Sequence, residues 1–254
     1  MFRRRMQIAQ NFSDRLKLLA LACLSMSVAA CAATASQAPG SDEARAYDPY
    51  ESLNRSSFET SLFLDRNALR PIAETYKAVL PDEARNGIRN VLDNLQSPVI
   101  FANNLLQGDG DAAGNTLTRF FINSTIGVAG LMDVAGDLGY TRVDQDFGIT
   151  LGQWGVGDGP YIFLAFAGPS SPRDLVGRVV DMGFDPITYI YWNGPYTVPI
   201  VRFGVNVIDA RSRNIDSLDE LERESVDYYA AVRSAYRQSR AAKVHGDKQT
   251  LPDF

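Results

Sequence analysis

Arg85-Asn86-Gly87-Ile88-Arg89-Asn90-Val91-Leu92-Asp93-Asn94-Leu95-Gln96-Ser97-Pro98 carries the fold class in its spacing. Ile88, Val91, Leu92 and Leu95 recur at i, i+3, i+4 and i+7, the period of one helix face. Asn86, Asn90 and Asn94 recur every fourth residue on the opposite face of the same predicted helix. Pro81 closes the segment before it, in which Ile72, Tyr76, Val79 and Leu80 share a face. After it, Pro98 to Gln107 reads as a short apolar helix ended by Gly108, and residues 111–123 as another.

Upstream, Asp48-Pro49-Tyr50-Glu51 has the form of a helix start, with Asp at the cap, Pro at the first position and Glu two further on. Downstream, Ser171-Pro172 opens a helix with Leu175, Val176, Val179 and Val180, and Ser217 to Lys243 reads as one long terminal helix. No clear run of alternating strands is present. Tyr189 to Ile208 is β-branched and aromatic but broken by Pro195 and Pro199, which leaves a loop or a small hairpin open. The expectation is a mainly α, compact single domain over residues 48–243, with residues 244–254 a polar tail.

The amino terminus sets the location. Arg3, Arg4, Arg5, Arg15 and Lys17 flank an apolar run from Leu18 to Ala30, which closes in Val28-Ala29-Ala30 before Cys31. A basic flank, a short apolar core and small residues before a cut describe a secretory signal over residues 1–30. About 13 apolar residues are too few for the roughly 20 of a spanning helix. Cys31 stands where the bacterial lipobox places its acylated cysteine, and residues 31–47, rich in Ala, Ser and Gly, read as a tether reaching on the order of 20–25 Å. Without the signal the chain carries 20 basic and 29 acidic residues, a net charge of −9. Such a chain is a poor nucleic-acid binder and is not drawn to anionic lipid surfaces, so the acyl chains must hold it.

No constellation for catalysis emerges. The only histidine, His245, falls in the expected tail, and the G-x-S-x-G pattern is absent. Gly155-Val156-Gly157-Asp158-Gly159-Pro160 lacks the Lys-Ser/Thr ending of a phosphate loop and reads as a turn. Asp109-Gly110-Asp111 lacks the later ligands of a calcium loop and reads as a helix cap. Asp144 and Asp146 form a possible carboxylate pair or a solvated loop. No enzyme activity, cofactor or metal is expected.

The order of motifs resembles the MlaA (VacJ) family of outer-membrane lipoproteins over about Asp48 to Arg240. It includes Asp48-Pro49 with Glu51 and Asn54-Arg55, Arg70-Pro71, Arg85-Asn86-Gly87 with Asn90, and Leu106-Gln107-Gly108. Arg119-Phe120-Phe121-Ile122-Asn123-Ser124-Thr125-Ile126-Gly127, Asp133-Val134-Ala135, Asp146-Phe147-Gly148, Gly168-Pro169-Ser170 and Arg233-Ser234-Ala235-Tyr236 continue it. The family often has Phe-Asn where this chain has Thr60-Ser61, and Pro where it has Ala165.

The resemblance implies a helical, ring-like protein in the inner leaflet of the outer membrane, facing the periplasm and crossed by a central amphipathic channel. It implies removal of misplaced glycerophospholipid from the outer leaflet, so that lipid asymmetry is kept. The implied partners are a trimeric porin and a soluble periplasmic carrier (MlaC-like) that feeds an inner-membrane ABC transporter. Ala32 after the acylated cysteine agrees with outer-membrane sorting. The alternative is a structural or assembly lipoprotein whose apolar grooves hold protein partners.

Two acyl tails bury about 30 methylenes, and at about 0.8 kcal/mol each their exposure to water would cost roughly 24 kcal/mol. A conduit must therefore shelter tails and headgroup together. Candidate channel and lipid-contact residues are Asn86, Asn90, Asn94, Arg119 and Asn123. An uncharged amide row can line a polar path or be a solvated helix face, and Arg119 can meet phosphate or form a structural ion pair. Phe120 to Met132 and Tyr161 to Phe166 are candidate membrane-facing stretches, with Phe120, Phe121, Tyr161, Phe163 and Phe166 as their aromatic contacts, against core burial.

Overall fold

The computed structural model describes residues 47–190 and 197–246. The signal, Cys31, the tether up to residue 46 and the tail from residue 247 lie outside the described residues. All described residues belong to one unit, Arg45–Phe254.

The chain is mostly helical. Helix α1 (Glu51–Leu64) runs through a π-helical turn (Asp65–Leu69) into α2 (Arg70–Val79). Pro71 removes a backbone donor there, and the widened turn lets Arg70 N–H reach Asp65 O instead. Helix α3 (Asp82–Leu106) follows Pro81, then α4 (Gly110–Thr125), the short α5 (Val134–Asp137) and α6 (Phe147–Gln153). A two-stranded antiparallel hairpin, β1 (Ile162–Leu164) and β2 (Gly168–Ser170), pairs Phe163 with Pro169. Helices α7 (Pro172–Phe184), α8 (Pro186–Ile190), α9 (Thr197–Arg213), α10 (Ile215–Glu224) and α11 (Tyr228–His245) complete it.

Five local expectations are corrected. Pro98 does not divide α3, which continues for 25 residues. Buried Ser97, Val99, Ile100, Asn103 and Asn104 anchor the turns around it, and Gly108 with φ 77° ends the run. The stretch 197–208 is helical, because Pro199 falls in the first turn of α9, where a missing N–H costs nothing; residues 191–196 lie outside the described residues. The terminal helix is two helices, since Asp227 turns its carboxylate back onto Ala230 N–H at 3.1 Å and starts α11 afresh. Asp48 caps nothing by its side chain, and α1 begins at Glu51. His245 is the last residue of α11, not part of a tail.

The aromatic core lies where α1, β1 and α11 meet: Phe58, Tyr161, Phe163, Tyr229, Val232 and Tyr236. Asp48 is buried beside it and accepts from Asn54 Nδ2 (2.7 Å), Tyr229 OH (2.5 Å) and Arg233 Nη1 (2.6 Å). A second node joins Arg240 to Asp146 (2.6 Å) and Asp174 (2.7 Å). Helices α6 and α7 cross without room for side chains. A Cβ at Gly177 would stand 2.4 Å from Gly148 N.

Polar side chains share the interior with apolar ones, and many large apolar side chains are exposed. Asn103, Asn104, Thr150, Asp209 and Ser212 are fully buried, whereas Phe63, Val79, Phe121, Ile126, Val179, Ile200 and Phe203 are exposed. The apolar stripe of α7 presents Val176 and Val179 outward, and the helix buries Asp174 and Gly177. Ile72 and Val79 of α2 likewise face outward while Ala73 is buried.

Candidate functional site

Helix α3 has a hollow on each side. Ile88, Val91, Leu92 and Leu95 line an apolar groove of about 400 Å³, opposite Val198, Val201 and Val205 of α9. On the other side Asn90, Asp93, Asn94 and Ser97 line a polar cleft of about 70 Å³, closed by Thr116, Arg119 and Asn123 of α4 and by Asp133 and Arg142. The periodicity of α3 produces this separation, since residues four apart stack on one face while the apolar stripe looks the other way.

Leu131 links the two linings. It lines the groove, and its carbonyl accepts from Nδ2 of Asn90, a residue of the cleft, at 3.1 Å. Leu131 lies in the turn after α4, where Val128 and Ala129 have φ 54° and 56° and Gly130 has φ 91°. Glycine is required at 130 because a Cβ would lie 2.8 Å from Asn94 Cβ.

The charges of the cleft are mostly paired. Arg119 donates to Asp133 Oδ1 at 2.8 Å and to Tyr140 O, while Asn123 Nδ2 reaches the same Asp133 oxygen at 2.8 Å. Asn123 Oδ1 accepts from Ala135 N–H. Burial works against ionisation of Asp133, but the Asn123, Arg119 and Gly136 hydrogen bonds outweigh it and hold its carboxyl below the usual range. Asp93 goes the other way: burial pushes its carboxyl up despite Arg142 at 2.6 Å and Arg89 at 3.3 Å.

Of the five candidate channel residues, Asn90, Asn94, Arg119 and Asn123 converge on the cleft. Asn86 does not. It lies on the exposed side of α3 and accepts from Arg213 Nη1 at 3.2 Å. Among the aromatic candidates, Phe121 and Phe166 are exposed, at 57% and 83%, and Phe120 is half-buried against Phe121. Tyr161 and Phe163 are core residues, which corrects their assignment to a membrane face. Strand alternation points them inward onto Tyr229 and Phe58, and Phe166 sits at the hairpin tip. Burial raises the Tyr161 hydroxyl pKa well above its ordinary value.

Asp146 is not part of a solvated loop. It caps α6 through Ile149 N–H and pairs with Arg240, whereas Asp144 pairs with Arg142. Sequence reasoning missed Asp93, Arg142 and the α9 wall. The Arg89–Asp93 spacing of four was the available signal for the first, while Arg142 and the valines of α9 have no local one. No group of three His, Cys, Asp or Glu suited to a metal ion occurs among the described residues. Among them, too, no helix is long and apolar enough to cross a membrane.

The family model described as MlaA lipoprotein matches residues 46–243. The intermembrane phospholipid transport system lipoprotein MlaA of Escherichia coli (strain K12) is 35% identical over 229 residues, covering 88% of this chain and 87% of the relative. The protein of the same description from Haemophilus influenzae is 34% identical over 217 residues, covering 81% and 84%. A chain solved in work on the structural basis for maintenance of bacterial outer membrane lipid asymmetry aligns with a TM-score of 0.71 at 35% identity, covering 78% of this chain and 98% of that one.

Proposed function

Because this chain belongs to the MlaA lipoprotein family, we propose that it removes misplaced glycerophospholipid from the outer leaflet of the outer membrane and so maintains lipid asymmetry. The observation that carries this reading is the two-sided α3, with an apolar groove against one face and a polar cleft against the other. A phospholipid has the same division. Its tails match Ile88, Val91, Leu92 and Leu95, and its headgroup matches the amides and charges of the cleft. The glycerol would lie near Leu131, which lines the groove and bonds Asn90 of the cleft.

The exposed apolar side chains support placement in the bilayer. Exposed Phe121, Ile126, Val128 and Met132 form one apolar segment, and large apolar patches mark interaction with membranes or partners. Acylation at Cys31 would keep the domain at the periplasmic leaflet, since two chains already give a stable anchor. We assign the channel role to Asn90, Asn94, Arg119 and Asn123. A trimeric porin would seat the protein, and an MlaC-like carrier would take lipid onward to an inner-membrane ABC transporter. Nothing in this reading asks the chain to make or break a covalent bond.

The test is a deletion strain complemented with this gene and assayed for phospholipid at the cell surface. Surface phospholipid is expected to rise on deletion and return to the parental level on complementation. An unchanged surface in the deletion strain overturns the reading.

A further inference from the structure

The polar cleft is shut as it stands. Asn94, Ser97, Thr116 and Asn123 line it, yet none of them is more than 8% exposed. A headgroup reaches them only if a wall moves. Helices α3 and α4 are tied side by side, through Asn104 to Thr116 at 3.0 Å and Asn94 to Ser124 at 2.8 Å. Asp133 is held by Arg119, Asn123 and the Gly136 N–H that it caps. The remaining wall is the segment between α5 and α6, which contributes Arg142 and Val143.

That segment is fastened differently. No residue from 141 to 145 forms a backbone–backbone hydrogen bond to any described residue. Side chains hold it: Asn115 Nδ2 donates to Thr141 O at 2.7 Å, Gln107 Nε2 to Gln145 Oε1 at 3.0 Å, and Arg142 pairs with Asp93 at 2.6 Å. Val143, its one apolar side chain, is 47% exposed. Its ends are firm, with Tyr140 N–H on Ala135 O and Asp146 capping α6. Such a segment opens at low cost while the packed helices stay.

We propose that residues 141–145 form a strap that opens the cleft to a phospholipid headgroup, with Arg142 as its latch on Asp93, an inference that rests on the transport reading above. Release strands neither charge. Arg142 keeps Asp144 at 2.6 Å and Asp93 keeps Arg89 at 3.3 Å, so opening avoids the penalty of a bare ion in a half-buried place.

The experiment uses the full-length acylated protein in detergent. Ser97→Cys is labelled with a small water-soluble methanethiosulfonate, and the parental chain controls for label at Cys31. Labelling is expected to be slow and to quicken about tenfold when Arg142→Gln is added, through loss of a charge-assisted bond. Asp93→Asn is expected to act in the same way. Separately, Asn115→Cys and Thr141→Cys are bridged by a short bismaleimide. The bridge is expected to slow exchange of bound phosphatidylethanolamine for its deuterated form, counted by mass spectrometry, by about tenfold. Each single-cysteine variant, treated alike, is expected to keep the parental rate, and thermal melts check the folding of all variants.

Ser97→Cys labelling that neither Arg142→Gln nor Asp93→Asn quickens overturns the strap. Exchange untouched by the bridge also overturns it and leaves the transport reading standing. A parental protein that binds no phospholipid at all overturns both.

Discussion

Asp146 shows how a single carboxylate joins three parts of the chain. It caps α6, pairs with Arg240 of α11 and shares that arginine with Asp174 of α7. Burial opposes its charge, but the Arg240 hydrogen bonds and attraction win, so its carboxyl lies below the ordinary value. The sign follows directly. The stabilisation is whole at neutral pH, begins to fall as the pH drops through the unfolded value of about 4, and is gone below the lowered folded value. Asp146→Asn keeps an acceptor at the cap and removes the charge. It is expected to lower stability by about 1–3 kcal/mol at neutral pH and to flatten the acid limb of a melting-temperature profile. Asp48 is more deeply buried, and Asp48→Ala strands Arg233 and Tyr229, so a loss of about 3–5 kcal/mol in denaturant unfolding is expected. Asn90→Leu breaks only the bond to the Leu131 carbonyl. It is expected to slow lipid transfer with the fold intact, and unchanged transfer would remove Asn90 from the path.

Among the helices, α3 carries the two-sided arrangement and α9 supplies the facing apolar wall. Val201 is 60% exposed yet lines the groove, so a larger side chain there meets space and not core. Val201→Trp is expected to leave the melting temperature within a few degrees and to cut lipid transfer several-fold by filling the room for tails. The α6–α7 crossing behaves in the opposite way. Gly177→Ala would force a methyl against the Gly148 backbone, so an overpacking loss of about 1–3 kcal/mol is expected, read by denaturant unfolding, with the groove untouched.

For the whole protein, buried polar groups sit beside a small aromatic core, and several large apolar side chains face outward. Apolar side chains left exposed on α2, α7 and α9 cost free energy in water and would cost none against an apolar surface. The buried amides and ion pairs then supply the specificity that a small aromatic core lacks. Cys31→Ser is expected to leave circular dichroism and melting of the domain unchanged while moving the protein from the membrane fraction to the soluble or loosely bound one. Full retention in the membrane after a carbonate wash would show that the apolar faces anchor it without acylation.

Local signals were legible wherever they depend on neighbours a few residues away. The 3.6-residue period of Ile88 to Leu95, the stops at Pro81 and Gly108, and the caps at Asp109 and Ser171 all act within one or two turns, so the chain reveals them without its fold. Helical class and the two faces of α3 were therefore readable beforehand, as was the gathering of Asn90 and Asn94, though not Asn86, along one of them. The direction each apolar stripe faces was not. Val176 and Val179 face outward, and periodicity reports that a helix is two-sided but is silent on which side faces outward. Tyr161 and Phe163 turned inward for the same reason, through pairing that only β2 and α11 supply. Arg142 meets Asp93 across 49 positions, and Asn94 meets Ser124 across 30. Contacts of that span arise from packing, and no short window of residues contains them.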